Sequence, residues 1–132
     1  MPIEIVWDNP EHTVLRYDIS GKWTWEDLFS ARDQVFALMD SVNAKRVDAI
    51  IHFKESLNLP PGAMSQLKQL REHPHPKAGL TVMVGANRFM RTMFGTFTKV
   101  YNTATGHSVD FVYAKSLEEA RDVIARDRIR SS

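Results

Sequence analysis

His73-Pro74-His75 is the sequence's one cluster of histidines. Two imidazoles can begin a metal site, but such a site needs further donors, and no carboxylate obviously converges on this pair. The proline marks an exposed helix-to-strand loop instead, and residues on such loops face solvent. His52 sits on the polar-mixed side of a strand pattern. A general base needs a substrate proton or a nucleophile within hydrogen-bond reach. The chain has no Gly-x-Ser-x-Gly turn and no evident acid to orient the ring, so His52 reads as a structural histidine. Gly85-Ala86-Asn87-Arg88 joins a strand to a helix N-terminus, whose free N–H groups and dipole attract anions. Arg88 and Arg91 fall near that positive end, where cations are disfavoured. Glu55, Asn87, Arg88 and Arg91 are therefore the candidate anion or partner site; the alternative is a pair of solvated arginines, or a pairing with Glu55. No glycine-rich fingerprint accompanies them. Met90, Met93, Phe94, Phe97 and Tyr101 form a Met- and Phe-rich stripe, either a surface for an apolar ligand or a second subunit, or plain packing on the sheet. With no cysteine, disulfides, thiolate metal sites and a Cys nucleophile are excluded. No catalytic residue, metal ligand or cofactor is expected.

The elements that must position these residues follow from periodicity. Ile3, Ile5 and Trp7 alternate with Glu4, Val6 and Asp8, and Thr13, Leu15, Tyr17 and Ile19 with Val14, Arg16, Asp18 and Ser20, on either side of the turn Asp8-Asn9-Pro10-Glu11. The short connection predicts an antiparallel hairpin. Thr24 and Asp27 form a capping box, and Trp23 and Leu28 a hydrophobic staple, for a helix carrying Trp25, Leu28, Phe29, Val35, Phe36 and Met39 to about Asp40. Val47 to Phe53 reads as the central strand, and Ala63, Met64, Leu67 and Leu70 as a short helix. Leu80 to Val84 is a compact apolar strand ending at Gly85. Asn87 caps a third helix that Gly106 terminates in the left-handed conformation. Val109, Phe111 and Tyr113 give the last strand, and Ser116 with Glu119 caps a helix that buries Ala120, Val123 and Ile124.

The order is β-β-α-β-α-β-α-β-α, an α/β fold with a five-stranded mixed sheet, parallel except at its first strand. Each strand has one strongly apolar parity, while the other is mixed: Glu4, Val6, Asp8; Arg16, Asp18; Asp48, Ile50, His52; Thr81, Met83; Asp110, Val112. A sheet covered on both faces would be apolar on both parities, so the helices are expected mainly on one face. The 132 residues suffice for one domain, placed at 1–125, with 126–132 as a charged tail that frays. Hydrophobic residues at 43% and charged residues at 25% are ordinary for a globular chain. The net charge of +1, with interleaved signs, offers no basic stripe for a phosphate backbone, so no nucleic acid partner is expected. No apolar run reaches the length of a membrane span. Met1-Pro2-Ile3-Glu4 lacks a basic region followed by an apolar one, so no signal peptide is expected, and with the lack of cysteine this predicts a cytoplasmic protein.

The order of elements, Gly21-Lys22-Trp23-Thr24-Trp25-Glu26-Asp27-Leu28, Val82-Met83-Val84-Gly85 and Ser116-Leu117-Glu118-Glu119-Ala120 resemble the STAS domain, the anti-sigma-factor-antagonist-like or SpoIIAA-like fold, over Ile3 to about Ile124. The chain is most similar to the STAS/SEC14-like branch, whose members mostly lack an assigned function. The resemblance implies a bacterial-type, non-catalytic regulatory or protein-interaction module. In the signalling branch a phosphorylatable Ser or Thr precedes the glycine at the second helix; here the stretch is Leu59-Pro60-Pro61-Gly62-Ala63, and Pro61 has no hydroxyl. Switching by phosphorylation at that position is therefore not expected. A protein partner or a homodimer is, through the strip Val6, Val14, Ile50, Met83 and Val112 or through the Met/Phe helix. The SEC14-like likeness implies an alternative: a small apolar, lipid-like ligand held between the sheet and the 88–105 helix.

Overall fold

The computed structural model describes residues 2–55, 59–72, 74–106 and 111–131. Its elements are β1 (Ile3–Trp7), β2 (Val14–Ile19), α1 (Trp25–Asp40), β3 (Val47–Phe53), α2 (Ala63–Glu72), β4 (Ala78–Val84), α3 (Arg88–Thr105), β5 (Val112–Ala114) and α4 (Leu117–Ser131). They form a five-stranded sheet in the order β1-β2-β3-β4-β5. β1 and β2 pair antiparallel, with Ile5 opposite Tyr17, and every later pair is parallel. Val109 and Asp110 of the expected last strand lie outside the described residues.

The helix ends follow their local chemistry. Thr24 Oγ1 accepts from the Asp27 N–H at 3.1 Å while Asp27 accepts from the Thr24 N–H at 2.9 Å, a reciprocal capping box for α1. The Asn87 side chain accepts from the Met90 N–H at 2.9 Å, and Gly106, at φ 73°, closes α3 by donating to the Asn102 carbonyl. Ser116 Oγ accepts from the Glu119 N–H at 3.1 Å at the start of α4. Gly85 ends β4 at φ 83°, and a Cβ there would collide with the Phe53 carbonyl oxygen, so only glycine lets β4 pass the end of β3.

Three helices cover one face of the sheet and one covers the other. α1, α2 and α3 bury Val35, Met39, Leu67, Met90, Phe94 and Phe97 against Leu15, Tyr17, Ile19, Ala49, Phe53 and Met83. α4 buries Ala120 and Ile124 against Val14, Ile50, Val82, Val84 and Ala114. The uneven distribution follows the expectation, but two details differ. The strongest apolar parity of β4, Leu80, Val82 and Val84, faces α4, while Thr81 and Met83 face the three-helix side. Val14 and Ile50, 6% and 0% exposed, are also covered by α4. The strip Val6, Val14, Ile50, Met83 and Val112 therefore does not share one open face.

The second correction concerns the chain's end. α4 continues to Ser131, so residues 126–131 belong to this helix and are not a separate tail. Asp48, fully buried in β3, accepts from Arg128 Nε at 2.7 Å, Arg46 Nε at 2.8 Å and the Leu80 N–H at 2.6 Å. Arg128 also donates to the Thr13 carbonyl at 2.8 Å, and Arg46 to Asp127 at 2.6 Å. A buried carboxylate with this donor set ties the last turns of α4 to the sheet.

Candidate functional site

The expected anion site at the head of α3 is not assembled as a cluster. Asn87 serves the helix as its cap, Arg88 and Glu55 are exposed, and the Arg91 guanidinium lies 5.2 Å from the centre of the Tyr113 ring. No ion pair joins Glu55 to Arg88 or Arg91 among the described residues. The Met/Phe stripe of α3 is core and not surface: Met90, Phe94 and Phe97 are at most 2% exposed, and Met93 and Tyr101 are half-buried against them. The rings of Phe94 and Phe97 both pack tilted against Phe111, and that of Tyr101 against Phe97. The large apolar residues that this helix exposes are, among the described residues, Phe89 and Val100.

The histidines have partners that the sequence did not reveal. His75 Nε2 lies 2.7 Å from Asp40 Oδ1, its Nδ1 accepts from the Lys77 N–H at 3.0 Å, and its ring tilts against Phe36. His73 is outside the described residues. His52 Nδ1 lies 3.4 Å from Asp18 Oδ1, so an acid does flank it. The parallel register of β2 and β3 makes Asp18 and His52 neighbours. Asp18 is already held by two bonds from Arg16, at 2.8 and 3.1 Å, and Arg16 also binds Asp8 at 2.6 Å, with Arg121 completing the set at 2.8 Å. Burial opposes ionisation of Asp8, but the hydrogen bonds from Arg121 and Arg16 outweigh it and hold its carboxyl below the ordinary aspartate value. This network neutralises its own charges, and Asp18 is engaged by a guanidinium and so is a poor orienter for a catalytic imidazole. Among the described residues no group of three or more His, Asp or Glu could hold a metal ion, and no helix is long and apolar enough to cross a membrane.

The chemically distinctive feature is a cavity of about 190 Å³ between the sheet and the three-helix layer. Its floor is Tyr17, Ile19, Ala49, Ile51, Thr81 and Met83, and its roof comes mainly from α1 and α2. From α3 it takes only Phe94, so it lies over the 25–40 and 63–72 helices and not over the 88–105 helix. Exposed Arg71, Pro74 and Ala78 and half-buried Arg32, Phe36 and His75 mark the side where it meets solvent. Close-packed interiors hold few voids larger than a water, and engineered apolar cavities of about 150 Å³ take up benzene.

The polar groups on this lining are few and mostly donors. Arg32 and Arg71 line the cavity, and no Asp or Glu among the described residues does. Arg32 Nε and Trp23 Nε1 are the two buried side-chain nitrogens without a hydrogen-bond partner among the described residues, and both belong to the lining. The Arg32 guanidinium carbon sits 5.1 Å from the Phe29 ring and 5.5 Å from the Phe36 ring. Among the described residues the one carboxylate paired with it is Asp33, 3.7 Å away with a side chain 75% exposed. Arg71 reaches solvent, yet its guanidinium lies 6.0 Å from the Phe111 ring, and desolvation lowers its pKa. Burial pushes the Tyr17 phenol up, with the charge of Arg32 opposing.

Sequence reasoning missed Arg32, although a signal existed. The buried stripe of α1 runs 25, 28, 29, 35, 36, 39, and position 32 is the missing member of that helical spacing. An arginine inside an apolar stripe brings a cation to the edge of the core, and here the Arg32 side chain is 23% exposed. Arg71, four residues after Leu67 on α2, repeats the pattern. Comparison with protein-family models, with curated proteins and with solved structures gives no match for this chain.

Proposed function

We propose that this chain is a non-catalytic binding module of STAS-like type, cytoplasmic, that holds a small apolar molecule between its sheet and helices α1 and α2. The observation that carries the reading is the 190 Å³ apolar cavity, floored by strands and roofed by aromatic and aliphatic side chains. Pockets of this kind, mainly apolar with a few placed polar groups, are where small ligands bind. The STAS-like assignment draws support from the order of elements and the antiparallel β1 on an otherwise parallel sheet. Pro61, at the position the signalling branch phosphorylates, offers only its carbonyl, which accepts from the Trp25 indole N–H at 2.8 Å.

The test is uptake of a neutral apolar probe. Titration with 1-octanol, followed by methyl NMR, is expected to shift Ile19, Ile51 and Met83 saturably at one equivalent and to leave Val82 and Ile124 unmoved. Absence of saturable shifts on that set overturns the reading. A second reading, self-association, is favoured by Phe89 and Val100, 53% and 55% exposed and three helical turns apart on α3. Light scattering that shows only monomer at millimolar concentration removes it.

A further inference from the structure

The charge on the cavity's lining goes further than its size. Among the described residues the lining carries two guanidinium groups and no carboxylate, in a space otherwise walled by aliphatic and aromatic carbon. A buried charge without a partner is costly, and a buried donor without an acceptor is costly too. Arg32 carries the second cost in full and the first in part: its Nε is buried and unpaired, while its side chain is 23% exposed and its guanidinium pairs at 3.7 Å with the solvent-exposed Asp33. The Phe29 and Phe36 rings both lie within cation–π distance of its guanidinium carbon. Phe36, one of the two rings next to Arg32, also packs on the rim residue His75 at 5.2 Å, the Arg32 side chain is 23% exposed, and Arg71 lies three residues before Pro74 in the chain. The cationic groups therefore stand toward the rim, with apolar carbon behind them.

We propose that the cavity's ligand is a small apolar carboxylic acid, bound as the carboxylate with its head on Arg32 at the rim and its carbon body inside. This rests on the reading of the cavity as a ligand site and adds the class of ligand. A guanidinium presents Nε–H and one terminal N–H as a planar fork, which matches the two oxygens of a carboxylate. Such an acceptor satisfies the orphan Nε and neutralises the charge in one contact. Arg71 adds a second, more solvated cation on the same side. Size sets the body: scaling from benzene in about 150 Å³, a cavity of 190 Å³ takes roughly seven or eight carbon atoms. A long-chain lipid does not fit, whereas a medium-chain or single-ring acid does. Trp23 Nε1, the other orphan donor, lies near the start of α1.

The experiment is a calorimetric titration at pH 7 with octanoate and, separately, with 1-octanol, on the wild-type chain and on Arg32→Met, Arg32→Lys and Arg71→Met. Wild type is expected to prefer octanoate by tenfold or more. Arg32→Met is expected to weaken octanoate by about ten- to a hundredfold, the range for a charge-assisted hydrogen bond, and to weaken 1-octanol, whose neutral hydroxyl accepts a single ordinary bond there, by a clearly smaller factor. Arg32→Lys recovers part of the loss, and Arg71→Met weakens octanoate by a smaller factor. Retained 1-octanol binding, together with a cooperative thermal unfolding transition in each variant, shows that the fold and cavity persist. Equal affinity for the two probes in wild type, or an Arg32→Met variant that keeps the octanoate preference, overturns the carboxylate inference while leaving the cavity reading intact. Failure of both probes to bind overturns both.

Discussion

Replacing Asp48 by alanine is expected to be among the most damaging single changes outside the hydrophobic core. The carboxylate is completely buried and accepts from Arg46, Arg128 and the Leu80 N–H. Its removal leaves the Leu80 N–H without that acceptor and takes from two arginines, 28% and 34% exposed, the charge that holds them. Breaking a buried ion pair by removing one partner costs about 3–5 kcal/mol. Solvent reaches both guanidinium groups, so the lower end applies. For a domain of this size a loss of about 3 kcal/mol lowers the melting temperature by roughly 10 °C. Asp48→Asn keeps an acceptor for Leu80 but turns a donor toward one arginine, and is expected to lose about half as much. Arg128→Met should lose less than either and should increase amide exchange in the last two turns of α4, where the tie to Thr13 and Asp48 is cut. Thermal unfolding of the three variants, with hydrogen exchange on the third, reads all of this. An Asp48→Ala protein within about 1 kcal/mol of wild type refutes the claim that this carboxylate anchors α4.

Three further outcomes follow from the same contacts. Asp8 has a folded-state pKa below its unfolded value, so it stabilises the protein above the ordinary aspartate pKa, and that contribution is lost as pH falls through the lowered value. Asp8→Asn should lower the melting temperature near pH 6 and flatten its decline below about pH 4; an unchanged acid slope contradicts this. Gly85→Ala must hold a Cβ at φ 83° against the Phe53 carbonyl, and should cost about 1–3 kcal/mol in urea unfolding, with near-neutrality contradicting the close approach. Trp25→Phe removes the indole bonds to the Pro60 and Pro61 carbonyls at 3.2 and 2.8 Å, and should cost about 1 kcal/mol while raising the amide exchange of Leu59, Gly62 and Ala63.

The order of elements and their ends were legible because each rests on a local rule. Period-two and period-3.6 patterns marked the elements, and Thr24, Asn87, Gly106 and Ser116 act at the helix ends where their side chains or missing side chain predict. The face to which β4 points was not legible. Both of its parities are apolar enough to be buried, and only the position of α4 decides that Leu80, Val82 and Val84 pack under that helix. Long-range charge pairs were also hidden. Asp48 and Arg128 are 80 residues apart, and Asp18 meets His52 only through the register of two parallel strands. The cavity itself is a deficit of packing, which no pattern of residue types encodes. Its cationic lining left a trace, the arginine at position 32 within an apolar stripe, but a helix pattern alone does not distinguish a snorkelling arginine from one facing a void.

The central claim is that the space between the sheet and helices α1 and α2 is a ligand site. Ala49 lies on its floor, and Ala49→Leu places three more carbons there. Titration of wild type and Ala49→Leu with 1-octanol, alongside their melting temperatures, tests the claim most directly. The account predicts saturable one-to-one binding by wild type, none by Ala49→Leu, and a melting temperature for the filled variant at least equal to that of wild type. Equal binding by the two proteins, or a well-folded wild type that binds nothing, contradicts it.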